Sequence, residues 1–154
     1  MPAPSEPVHA GATVDAERFA RIAHGVRTRS LPKAEWTHGA HLVFAVSLID
    51  EHGLAGAEAA APPLIRAYNE ATGGVNDDKN GYHETLTVFF LRRVARFIEA
   101  TPDALAPELA TMLLASPLAR SDYPLSFYSK ALLFSVEARR DWTPPDLKPM
   151  DADD

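Results

Sequence analysis

Three histidines stand where imidazole chemistry could be built. His38 and His41 follow Thr37 at a spacing of three, and His83 lies in the string Gly81-Tyr82-His83-Glu84-Thr85. On a helix, side chains three apart share a face and can converge on one point. A helical His83 falls in line with Leu86 and Phe90, so its ring points inward. Inward histidines in the first turns of two core helices invite a shared site. The partial positive charge and free N–H groups of a helix N-terminus discourage protonation there, and neutral imidazole is the form that binds metal. The expectation is a divalent metal held by His38, His41 and His83. Zinc, iron, manganese and copper all suit such ligands, and an open coordination position would activate water.

Glu84 needs a separate argument. Adjacent helical residues point about 100° apart, so Glu84 is expected to orient a histidine or act as a base toward bound water rather than to share the metal with His83. Its charge at a helix start is also favourable without any site. Tyr82 and Tyr128 are expected as hydrogen-bond donors on the pocket wall. The reaction classes that fit this inventory are metal-dependent hydrolysis or oxidation of a small molecule. H-x-x-H is far less specific than the metalloprotease H-E-x-x-H, which is absent. An alternative from another class therefore stands beside the metal: a non-catalytic helical module that binds a small ligand, an anion or a partner protein, with structural histidines.

Other candidates carry blander readings. Asn69 is expected to fix the loop after it. The polar stretch from Val75 to Asn80 lacks the spacing and terminal Glu of a calcium loop, and reads as a mobile lid or solvated turn. Arg92, Arg93 and Arg96 read as a solvated helix face. Ser129 has no positioned base beside it.

The elements that must position these residues all read as helices. Asp15 caps a first helix from about Ala16 to Thr28, with Phe19, Ile22, Ala23 and Val26 inward. Thr37 caps a second, running to His52 and stopped by Gly53; it is apolar almost all round, the pattern of a central helix covered either within the chain or by a partner subunit. A short turn and a helix entered at Pro62–Pro63 and closed by Gly73–Gly74 come next. A fourth helix spans about His83 to Ala100, a fifth begins at Pro102 behind Thr101, and Ser126 to Phe134 and Val136 to Asp141 form short pieces joined at Ser135. The fold expected is an all-α single-domain bundle of about five to six helices, irregular rather than up-down. Its domain spans 15–143, between a flexible N-terminal tail, 1–14, and an extended acidic tail, 144–154.

Composition sets the outer bounds. The 154 residues suffice for one domain with a real core, and 46% are hydrophobic against 23% charged. Without cysteine the chain holds no disulfide, thiolate metal site or iron–sulfur cluster of its own. A net charge of −6 argues against nonspecific nucleic-acid binding. The most apolar run, Leu42 to Ile49, is far short of the roughly twenty residues a membrane span needs. A cytoplasmic location is expected, with a homo-oligomer left open.

The blocks Trp36-Thr37-His38-Gly39-Ala40-His41-Leu42, Tyr68-Asn69, Gly81-Tyr82-His83-Glu84-Thr85, Phe127-Tyr128-Ser129, and Ala138 to Trp142 followed by Pro145-Asp146-Leu147 resemble those of a bacterial family of small, functionally uncharacterised all-helical proteins. The resemblance covers roughly residues 15 to 148. It implies that the histidine blocks belong together and supplies no reaction. Gly39 departs from the pattern, where a larger polar residue is expected.

Overall fold

The computed structural model describes residues 6–154. Six α-helices and three short 3-10 turns make up its regular structure, and the described residues contain no strand. The helices are α1 (Ala16–Arg27), α2 (His38–Ala71), α3 (Glu84–Glu99), α4 (Ala106–Leu114), α5 (Lys130–Leu133) and α6 (Val136–Arg140). The all-α, irregular bundle expected from the sequence is what forms.

Local chemistry explains most helix starts. The Asp15 carboxylate accepts from Arg18 N–H to open α1, and the Thr37 hydroxyl accepts from Ala40 N–H to open α2. Ser129 and Ser135 do the same for α5 and α6. In α2, every residue from Leu42 to Leu48 is buried, and the cover comes from this chain's own α1, α3 and α4. No partner subunit is needed to shield that helix. Among the described residues, no helix is long and apolar enough to cross a membrane.

The bend in α2 shapes the molecule. Gly53 has φ 71 and ψ 175, outside helical geometry and in a region that favours glycine. The chain turns back there: Tyr68, near the end of α2, lies with its ring 5.2 Å from that of Trp36, just before the helix begins. The Tyr68 hydroxyl also donates to the Leu31 carbonyl, 2.9 Å away. Helix resumes directly after Gly53 and passes through Pro62 and Pro63, where the expectation was a start. The two prolines remove N–H donors that would serve Glu58 and Ala59; Ala59 and Pro63 lie on the exposed side, where water can take up a freed carbonyl.

Three further expectations are corrected. Thr101 does not cap α4. Its hydroxyl donates back to the Phe97 carbonyl at the end of α3, and α4 starts only at Ala106, with Leu105 as an N-cap that makes no side-chain bond. The described part of the N-terminal tail is packed down: Val8 and Val14 are buried, Gly11 N–H donates to the Leu114 carbonyl, and the Thr37 hydroxyl donates to the Val8 carbonyl. Residues 1–5 of that expected tail lie outside the described residues. The C-terminal segment is anchored as well, by the helix face expected to be solvated. Arg93 is only 4% exposed; it donates to the carbonyls of Met150 and Ala152 and pairs with Asp154. Arg96 pairs with Asp153, and Arg92 bonds Glu58 while its guanidinium stacks over Trp142. Arginine can leave solvent like this because its fork of donors meets several oxygens at once.

Candidate functional site

A cavity of about 480 Å³ opens between the two arms of α2 and the first half of α3. Helical spacing writes its walls. His38, His41, Ala45 and Leu48 line it from the first arm of α2, Ala61, Ile65 and Asn69 from the returning arm, and Leu86, Phe90 and Leu91 from α3. Steps of three and four residues keep each α2 set on one helical stripe, and in α3 the pairs Leu86–Phe90 and Thr87–Leu91 repeat at four. Trp36 and Tyr82 complete the aromatic part of the wall.

All three predicted histidines line this cavity, and backbone carbonyls fix one protonated nitrogen on each ring. A carbonyl only accepts, so the nitrogen facing it must carry a proton. His38 donates from Nε2 to the Leu118 carbonyl at 2.9 Å, and His41 donates from Nδ1 to the Thr37 carbonyl at 2.7 Å. As neutral rings they keep lone pairs at His38 Nδ1 and His41 Nε2, to which no described residue donates. No buried side-chain nitrogen or oxygen lacks a partner among the described residues, so the free His38 nitrogen is reachable by solvent.

His83 differs. It is the N-cap of α3, an unusual role for imidazole: Nδ1 accepts from Leu86 N–H at 3.1 Å, while Nε2 donates to the Leu133 carbonyl at 2.8 Å. Both nitrogens are committed to the protein. The ring must be neutral for this arrangement, since a protonated Nδ1 would face the Leu86 donor. Burial lowers its pKa, the Arg139 charge pushes the same way, and the carbonyl bond to Leu133 opposes.

His41 stacks on Trp36 with ring centroids 3.6 Å apart and planes inclined by 28°. Crowding by protein lowers its pKa to about 4; the Thr37 carbonyl favours the cation, and His38 adds a smaller push downward. His41 nonetheless has exposed surface. Its ring lines the cavity and stacks on Trp36. The ring is neutral at neutral pH.

The remaining expected site residues separate. Tyr82 lines the cavity, but its hydroxyl donates to Glu84 Oε1, and burial followed by that bond raises its pKa. Glu84 is not among the lining residues. Tyr128 lies away from the cavity, packed beside Phe89 with ring centroids 5.8 Å apart, and its hydroxyl holds the Thr143 carbonyl at 2.6 Å. Its place is in the core, tying down the C-terminal segment.

A three-histidine metal centre does not fit this arrangement. His83 has no lone pair left unless it abandons the α3 cap, and two imidazoles are fewer than the three protein ligands of a typical catalytic zinc site. Among the described residues, no three His, Asp or Glu side chains cluster closely enough to hold a metal ion.

Two supporting residues were missed or undervalued in the sequence. Trp36 precedes the helix and reaches His41 only because Thr37 turns the chain into α2. Asn76 clips the cavity's edge: its Oδ1 accepts from Asn69 Nδ2 and Tyr82 N–H, both at 3.0 Å, and its Nδ2 donates to the Arg66 carbonyl. The stretch read as a mobile lid or solvated turn is a solvent-exposed turn tied on several sides, also by Arg140 to Asp78 and by Arg139 to the Gly81 and Tyr82 carbonyls. Gly81 is required there, since it has φ +78 and a Cβ would lie 2.2 Å from the Val75 carbonyl oxygen. Comparison with protein families, curated proteins and solved structures returned no match for this chain.

Proposed function

We propose that this protein binds a small organic molecule in the cavity between the arms of α2 and α3. The observation that carries this reading is the cavity itself. Its 480 Å³ falls within the roughly 300–1,000 Å³ typical of ligand sites, its walls are largely apolar and aromatic, and a few polar groups converge on it. Binding rather than catalysis fits the groups present. Glu84, the carboxylate expected as a base, lies outside the wall and receives the Tyr82 hydroxyl, while a His41 titrating near 4 is a weak base at neutral pH.

The test is ligand-observed NMR with a panel of neutral, anionic and cationic aromatic and aliphatic fragments. Ala45→Phe, which pushes a ring into the cavity from the first arm of α2 and obstructs it, serves as the control. The reading expects hits on the native chain that vanish in the variant; hits surviving in a folded Ala45→Phe protein would contradict it.

A divalent metal on His38 and His41 is the second reading, favoured by their two unshared lone pairs. Elemental analysis of protein purified without a histidine tag decides it: near-stoichiometric metal, lost in His41→Ala, supports the metal, and its absence favours the organic ligand alone.

A further inference from the structure

We infer that the cavity selects an uncharged, flat molecule carrying at least one N–H or O–H donor, recognised by the lone pairs of His38 Nδ1 and His41 Nε2. This rests on the small-molecule reading above and narrows it to a chemical class.

The first observation is charge. Among the described residues, no Lys, Arg, Asp or Glu lines the cavity. The Arg66 guanidinium stacks over the Tyr82 ring at 4.7 Å, yet Arg66 is not part of the wall. An anion entering would lose its hydration without meeting a cation, and a cation would find no carboxylate. Either desolvation is costly without a partner. The anion-binding alternative therefore loses its footing here.

The second observation is polarity of a particular sense. Carbonyl partners hold the protons of both imidazoles on the nitrogens facing Leu118 and Thr37. What the neutral rings offer a ligand is two acceptors. A ligand bringing only acceptors would leave lone pair facing lone pair, whereas a donor pairs with one of them.

The third observation is shape. His41 lies in a stack with Trp36, and His38 meets the edge of Phe90 with ring centroids 5.0 Å apart. Flat aromatic walls favour a flat guest by offset or edge-on contact. At about 30 Å³ per water, the 480 Å³ corresponds to about 16 waters, ample room for a small ring system. A fused bicyclic ring with a small substituent fits within it.

Indole is the probe. Calorimetric titrations at pH 7.5 compare it with 1-methylindole, which lacks the donor, with indole-3-carboxylate, an anion, and with tryptamine, a cation. The inference expects indole to bind, 1-methylindole to bind about three- to tenfold more weakly, and both ions to bind at least about tenfold more weakly. The indole preference over 1-methylindole should collapse toward unity in His41→Phe or His38→Phe, each of which keeps an aromatic ring and deletes the lone pair; loss of the ratio in either supports the inference. Equal binding of either ion and indole, no penalty for the methyl group, a preference surviving in both variants, or no binding by indole would overturn it. The broader binding reading falls separately, by its fragment panel and the Ala45→Phe control.

Discussion

The imidazole of His41 lies against the indole of Trp36, ring centroids 3.6 Å apart, in a stack formed across the N-cap of α2. Trp36 also meets Phe44 and Tyr68, at 6.0 and 5.2 Å between centroids, and so joins both arms of the bent helix. Trp36→Ala should cost about 2–4 kcal/mol in denaturant unfolding, somewhat below a fully buried tryptophan because the ring is half-buried. Trp36→Phe should recover much of that loss.

Stability should depend on pH through the two depressed histidines. His41 and His83 both bind protons less readily in the folded chain than their ordinary pKa of about 6.5. The unfolded chain therefore takes up protons first as pH falls, and stability drops. Folding free energy should be level above about pH 7 and decline from about 6.5 toward 4. The groups bearing on these rings are His38 and the Thr37 carbonyl for His41, and Arg139 and the Leu133 carbonyl for His83. His83→Asn can still cap α3 but cannot titrate, so the decline should become shallower although the variant starts less stable. Urea titrations across this range would read both slopes.

The buried Arg93 should govern the C-terminal segment. Arg93→Leu removes its bonds to the Met150 and Ala152 carbonyls, its pairing with Asp154 and its bond to the Tyr123 hydroxyl. Hydrogen exchange should rise over 150–154 with the helices still protected, at a cost of about 2–4 kcal/mol. Unchanged exchange there would show that the segment is held by other contacts.

Gly39 should resist enlargement. A Cβ at that position would lie 2.5 Å from the Val8 carbonyl oxygen and 3.1 Å from Leu114 Cδ2. Gly39→Ala should displace the N-terminal segment from α2 and cost about 1–3 kcal/mol, measured by thermal unfolding together with the amide shifts of residues 8–14.

What was legible in the sequence follows from periodicity and caps. Asp15, Thr37 and Ser135 start helices where short polar side chains precede apolar patterns, and the three-residue step placed His38 and His41 on one wall, whereas the piece expected from Ser126 to Phe134 is helical only from Lys130 to Leu133, behind a Ser129 cap that was not read. Less local facts were hidden. The break at Gly53 was legible, but Pro62–Pro63 read as a helix start because proline favours a first turn, and nothing local shows that helix has already resumed directly after Gly53. Arg93 looked like a surface charge because its partners lie about 60 positions away. His83 was expected to look inward, and it does line the cavity, but a helix cap made by imidazole is not encoded in any short motif. Whether a histidine keeps a free lone pair depends on carbonyls such as those of Leu118 and Leu133, which belong to distant turns and have no residue signature.

The central claim is that His38 and His41 meet a ligand through unprotonated nitrogens while His83 serves the fold. Long-range ¹H–¹⁵N spectra of the imidazoles at pH 7.5, recorded with and without indole, test it most directly. The expected spectra show neutral His41 and His83 rings, protonated at Nδ1 and Nε2 respectively, and a His38 proton at Nε2, with indole shifting His41 Nε2 or His38 Nδ1 and leaving the His83 nitrogens in place. Opposite tautomers, a charged ring, or indole moving none of the His38 and His41 nitrogens would contradict it.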